Sequence, residues 1–203
     1  MGEGQRPLVI YTVGHSNMSL DELLALLARH GVGVLADVRS QPYSRYTPHF
    51  SRDPLRAGAA ASGIQYAFLG DALGGRPREL EYYDGQGHVL YGLVAASARF
   101  LAGLERLEAL ARERRVVILC GEESPAECHR RLLVGRVLWE RGAQVLHLRA
   151  DGRVQTEPDV RDEEAARDGT LGQLGLFDED EVSVWRSTRS VSRGEGPGAS
   201  SER

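Results

Sequence analysis

The chain contains no lysine: all 25 of its basic residues are arginines. With its abundance of alanine, glycine and arginine, this reads as GC-rich coding rather than as chemistry. Only two cysteines occur, too few for a disulfide framework. No apolar run reaches membrane-spanning length, and the amino terminus lacks the charged-then-apolar pattern of a leader. A cytoplasmic protein without a membrane partner is the expectation. Also missing are a phosphate-cradling P-loop, a dinucleotide fingerprint, a Ser-His-Asp nucleophile elbow and any internal repeat.

What is present suffices for one globular domain with a sizeable core: 203 residues, 41% of them hydrophobic. The net charge of −4 is unevenly spread. Residues 1–150 carry 18 arginines against 16 acids, whereas residues 151–203 carry 7 against 13. This predicts a near-neutral domain over residues 7–150 and a flexible acidic tail over 151–203, with residues 150–170 a linker.

Apolar runs at residues 8–13, 32–38, 64–69, 116–120 and 144–148 read as strands. Between them lie amphipathic segments. Ser19, with Glu22 three residues on, caps a helix whose face is Leu20, Leu23, Leu24 and Leu27. A long helix is expected over residues 94–114 and another over 125–141. Residues 40–60 and 70–87 show no clear period. The alternation predicts an α/β fold, a single layered domain with a mainly parallel sheet flanked by helices.

The stretch from Val116 to Arg131 carries the strongest chemical signal. A strand ends in Cys120, a polar loop with Glu122 follows, and Cys128-His129-Arg130 opens a helix. Ser124-Pro125 reads as its cap and first position, which places Cys128 and Arg130 where helix N–H groups and a guanidinium favour an anion. A small buried hydrophobe and an ordinary helix cap would leave the same pattern. Three further polar groups sit at strand ends and are expected on the same sheet edge: Gly14-His15-Ser16, Asp37-Val38-Arg39, and Leu73-Gly74-Gly75-Arg76. Beyond them, Tyr43, Arg45, Tyr46 and Phe50 alternate aromatic and cationic groups, a pattern suited to unpaired bases and phosphates or to a plain surface loop.

These pieces together resemble the domain-of-unknown-function 488 family of bacteria and archaea. The resemblance covers about residues 8–150. It rests on Thr12-Val13-Gly14-His15-Ser16, Asp37-Val38-Arg39 with Pro42 and Ser44, Phe50, Leu69 with Leu73-Gly74-Gly75, and Leu119-Cys120 through Glu122 to Cys128-His129-Arg130. It implies a site at these polar residues and no particular activity.

The leading expectation is an enzyme acting on nucleic acid or a nucleotide-like substrate, as in DNA repair or base processing. Arg39, Ser16, Cys128 and Arg130 are the candidate phosphate holders, Asp37 and Glu122 the acid/base pair, and His15 and His129 the proton movers. One rival is a non-catalytic nucleic-acid or protein-binding module. Another is a thiol enzyme using Cys120 and Cys128. The cysteine spacing departs from closed zinc patterns, so neither a metal nor another cofactor is expected. In the tail, Gln173-Leu174-Gly175-Leu176-Phe177 resembles the peptide that docks on the polymerase sliding clamp, with Leu176 and Phe177 entering an apolar pocket and Gln173 at its rim.

Overall fold

The structure is a computed structural model and describes residues 7–167 and 185–190. Six strands form one sheet: β1 (Val9–Gly14), β2 (Val34–Asp37), β3 (Gln65–Phe68), β4 (Val116–Cys120), β5 (Gln144–Leu148) and β6 (Val154–Thr156), in the order β3-β2-β4-β1-β5-β6. The first five run parallel, and β6 is antiparallel to β5. The expected α/β domain with a mainly parallel sheet is what the chain forms.

Both sheet faces are covered, which is why β4 reads as an unbroken apolar run. Alternate residues divide between two cores. Val116 and Ile118 pack with Phe100, Leu104 and Leu107, while Val117 and Leu119 pack with Leu23, Leu27 and Leu55. The second core belongs to α1 (Leu20–Arg29) and α2 (Arg52–Ala61). The capping box of α1 forms as expected: Glu22 N–H donates to Ser19 Oγ at 3.2 Å, and Ser19 N–H donates to Glu22 Oε2 at 2.7 Å.

The helices of the other face depart from expectation in instructive ways. The span 94–114 is two helices, α4 (Tyr91–Ala96) and α5 (Ala98–Glu113), after the short α3 (Gly70–Leu73). Ser97 breaks it, because its hydroxyl donates to Val94 O and accepts from Phe100 N, which competes with the helical ladder. The span 125–141 is not one helix from Pro125. Ser124 Oγ instead accepts from Ala126 N, and Cys128 N donates to Pro125 O, closing a turn. Helical geometry starts at His129, as a π-helical segment over Arg130–Gly135 that continues into α6 (Arg136–Glu140).

Residues 151–167 are not a linker. They form β6 and α7 (Glu157–Arg167), and Val160 is buried against the domain. The acidic charge is what docks them. Arg131, only 6% exposed, pairs with Glu157 at 2.8 Å and Glu164 at 2.9 Å. Arg149 pairs with Glu123 at 2.7 Å and Glu163 at 3.5 Å. In this segment the departure from the expected tail lies in its acids, which are the partners of buried arginines. Residues 185–190 also return to the domain: Trp185 donates to Leu132 O, and Ser187 N–H donates to Val89 O.

Strand order positions the site. From β1 the chain crosses to β2 and β3 on one side; from β4 it crosses to β5 on the other. The carboxyl ends of the adjacent strands β1 and β4 are therefore the place where the winding reverses and a crevice opens. Gly14 pairs with Cys120 there.

Candidate functional site

A cleft of about 490 Å³ opens at that reversal. His15 and Arg39 form its floor, with Cys120, Gly121 and His129 beside them; Tyr43, Ser44 and Glu122 stand at its walls. Thr188 and Arg189 close one side, Arg189 by pairing with Glu127. A larger hollow of about 970 Å³ lies at the opposite edge of the sheet. It holds none of the motif residues, and its Glu108 is occupied by Arg112 and Arg141.

The floor is a chain of directed hydrogen bonds. Asp37, fully buried at the end of β2, receives Arg39 Nε at 2.9 Å, Arg39 Nη2 at 2.7 Å and the Arg39 backbone N–H at 3.1 Å. Tyr66 donates its hydroxyl to the same carboxylate at 2.7 Å, and burial together with that carboxylate raises the Tyr66 pKa. Arg39 Nη1 lies 3.2 Å from His15 Nε2. A guanidinium only donates, so His15 Nε2 is the acceptor and Nδ1 carries the proton, which goes to Ser16 O at 3.1 Å. Burial, then the Arg39 charge, lowers the His15 pKa to about 4, so the ring is neutral at pH 7. Phe50 stacks on it at 4.2 Å.

The second cluster is sulfur and imidazole. His129 Nε2 donates to Val38 O at 3.1 Å, which leaves Nδ1 facing Cys120 Sγ at 3.5 Å. Cys128 is fully buried behind this pair. The Cys128 thiol, donating to Cys120 sulfur, lowers the Cys120 pKa against the opposing effect of burial, with help from the Arg130 charge. Burial opposes charge on His129, but the Cys128 sulfur and the Val38 carbonyl raise its pKa. Burial raises that of Cys128. Cys120 is thus the more acidic of the two thiols, and Cys128 the less acidic.

Glycine makes room for this. A Cβ on Gly75 would lie 2.6 Å from the His129 ring, and one on Gly14 would run into the Glu122 carbonyl. The Gly74-Gly75 motif is needed for close approach and not merely to turn the chain.

Cys120, Cys128 and His129 are also the one group of His, Cys and carboxylate side chains, among the described residues, whose donor atoms gather for a metal, all within 4.8 Å of one another. Two thiolates and an imidazole suit zinc, whose tetrahedral geometry would hold its sulfurs about 3.8 Å apart. The same contacts equally serve a thiol–imidazole pair.

The structure gathers His15, Arg39, Cys120, Glu122 and His129 at the cleft, with Tyr43 at its rim. It removes others. Arg130 is fully buried and does not face the cleft: its guanidinium donates to the carbonyls of Glu122 and Glu123 and to Thr12 Oγ1 at 3.4 Å. It shapes the loop, and its burial keeps it from a phosphate in the cleft. Asp37 is saturated by Arg39 and Tyr66, so it orients a cation instead of meeting a substrate. Ser16 faces a separate hollow beside α1, and Cys128 lies behind Cys120. Phe50 is buried against His15 and offers no face to a base. Tyr46 is 92% exposed and Arg45 is exposed. Gln173, Leu174, Leu176 and Phe177 lie outside the described residues. Nothing local in the sequence marks Tyr66, because its link to Asp37 spans two strands; Ser40, whose hydroxyl accepts from Arg76 N at 2.9 Å, is marked by its place directly after the Asp-Val-Arg motif.

The family model described as Domain of unknown function DUF488 matches residues 19–137. The chain belongs to the DUF488 family. The matched span contains Asp37, Arg39, Gly75, Cys120 and His129, so both clusters of the cleft lie mainly within DUF488 sequence. It begins after His15, and the Thr12–Ser16 end of the wider resemblance falls outside it. No curated protein and no solved structure matches the chain.

Proposed function

We propose that this DUF488 domain is an enzyme whose nucleophile is the Cys120 thiolate, acting on a phosphate-bearing, nucleotide-like substrate. The observation that carries the reading is the 3.5 Å contact between Cys120 Sγ and His129 Nδ1, at the strand-end crevice of a parallel sheet. His129 is oriented by Val38 O, so nucleophile, base and orienting group stand in the sequence that thiol catalysis requires. Cys120 attacks an electrophilic carbon; its proton passes to His129 Nδ1 and is returned to the leaving group.

Substrate class follows from the walls. Arg39 is held rigid by Asp37, and Arg76 stands exposed across the cleft. Both suit an anion. Tyr43, 74% exposed at the rim, and Tyr46 offer faces on which a base stacks. This favours base processing in an unpaired strand, with recruitment to a sliding clamp through residues 173–177 as a further part of the proposal. Thiol chemistry takes precedence over the acid/base scheme built on Asp37, because Asp37 has no free oxygen directed into the cleft.

The test is protection from alkylation. At pH 7, iodoacetamide should label Cys120 well before Cys128. Nucleoside monophosphates or a short single-stranded oligonucleotide should slow the labelling, and Arg39→Ala should abolish that protection. A Cys120 no more reactive than free cysteine, unaffected by any nucleotide, would sink the proposal. Protection with an inert Cys120 would instead favour a non-catalytic binding module.

A further inference from the structure

We propose that Cys120 and Cys128 form an oxidation site, in which a hydroperoxide entering the cleft converts the two thiols into an internal disulfide. This rests on the reading of Cys120 as the reactive thiol and adds a way in which the same site is switched off and restored.

The geometry separates the roles of the two sulfurs. Cys120 lines the cleft, while Cys128 has no exposed surface, so an oxidant meets Cys120 first. The two sulfurs and a ring nitrogen of His129 lie within 4.8 Å of one another. They are the only cysteines of the chain, and both are free thiols. A disulfide needs its sulfurs about 2.05 Å apart, so one side must give. Cys120 is held, as the last residue of β4 in the middle of the sheet, where it pairs with Gly14. Cys128 is not in a ladder. It ends the turn begun at Pro125, and its carbonyl accepts from the Arg131 and Leu132 N–H groups where the π-helical segment Arg130–Gly135 begins, so an approach of its sulfur to Cys120 breaks no strand pairing.

The chemistry balances. The Cys120 thiolate attacks one oxygen of hydrogen peroxide and the O–O bond breaks. The departing hydroxide takes a proton from His129 and leaves as water, and Cys120 becomes a sulfenic acid. The Cys128 sulfur then attacks Cys120 sulfur, the S–O bond breaks, and the hydroxyl departs as water with the Cys128 proton. Two thiols and one peroxide give one disulfide and two waters. Without a neighbouring thiol, the sulfenic acid would pass on to the irreversible sulfinic state.

The experiment uses the full chain treated with hydrogen peroxide, then denatured, alkylated and weighed intact. The expected result is loss of both free thiols, a mass lower by two hydrogens before alkylation, and full return on adding dithiothreitol. Cys128→Ser should give instead a Cys120 sulfenic acid trapped by dimedone and, with time, a sulfinic acid. Cys120→Ser should leave Cys128 unoxidised at the same peroxide dose. Both thiols surviving in the wild-type chain while Cys120 of Cys128→Ser is trapped would overturn the disulfide and leave the nucleophile reading intact. A stoichiometric zinc ion in the untreated chain, retained after peroxide, would overturn it as well, by making both cysteines ligands. Disulfide formation with a Cys120 that iodoacetamide does not label would keep this inference and remove the catalytic one.

Discussion

Asp37 grips Arg39 through both carboxylate oxygens, and that grip fixes the guanidinium edge presented to His15. The pair is almost wholly buried, so its value lies in position rather than net attraction. Replacing Asp37 by Asn leaves the Arg39 charge without its counter-charge. Stability should fall by roughly 3 kcal/mol, the usual cost of breaking a buried pair, and nucleotide protection of Cys120 should weaken. Urea unfolding of D37N beside the parent checks the first part. An unchanged midpoint would place the pair in solvent.

His15 should stay neutral through the physiological range. Burial and Arg39 hold its pKa near 4, below the 6.5 of an unfolded chain. The unfolded state therefore binds a proton that the folded state refuses. This stability is intact above pH 6.5 and is lost as pH falls from there toward about 4. Proton NMR of the ring should show a midpoint near 4, which moves upward in Arg39→Gln.

Gly75→Ala tests the packing of His129. The added methyl would meet the imidazole at 2.6 Å, so the ring must shift. Overpacking of this kind costs about 1–3 kcal/mol. The more telling readout is chemical: Cys120 alkylation should slow and its pH midpoint rise, because the base no longer faces the sulfur. Unaltered alkylation in a destabilised G75A would detach His129 from Cys120.

Acid sensitivity should be concentrated at α7. Burial opposes charge on Glu157, but the His147 ring 3.6 Å away and its hydrogen bonds from Arg131 outweigh this and hold its pKa at about 2. A depressed carboxyl stabilises the fold above its unfolded pKa, and the gain disappears as pH falls from about 4.3 through 2. Burial also lowers the His147 pKa, so its proton is refused in the same direction, below about 6.5. Glu157→Gln should be less stable than the parent at pH 7 and should lose less on acidification to pH 3. Thermal melts at both pH values decide it.

The tail peptide has its own test. Leu176→Ala with Phe177→Ala should remove binding to a sliding clamp, expected near the micromolar range for a short linear segment, without moving Tm. A fall in Tm of several degrees would instead assign the pair to the folded core.

Local rules determined much of this protein. Ser19 and Glu22 announce the start of α1; the apolar run before Cys120 announces a strand buried on both faces; and polar groups after each strand mark a functional edge, because caps, periodicity and strand ends are properties of neighbouring residues. Tertiary structure alone decided which of those groups meet. The order β3-β2-β4-β1-β5-β6 sets β4 between β2 and β1, and so brings Cys120 beside both His15 and Val38. It turned Arg130 inward, since the carbonyls of Glu122 and Glu123 needed donors more than the cleft did. It also drew α7 onto Arg131, where acids that looked like a solvated tail became the counter-charges of a buried arginine. A guanidinium reaches whatever carbonyl or carboxylate the fold sets near it, and that setting is long-range.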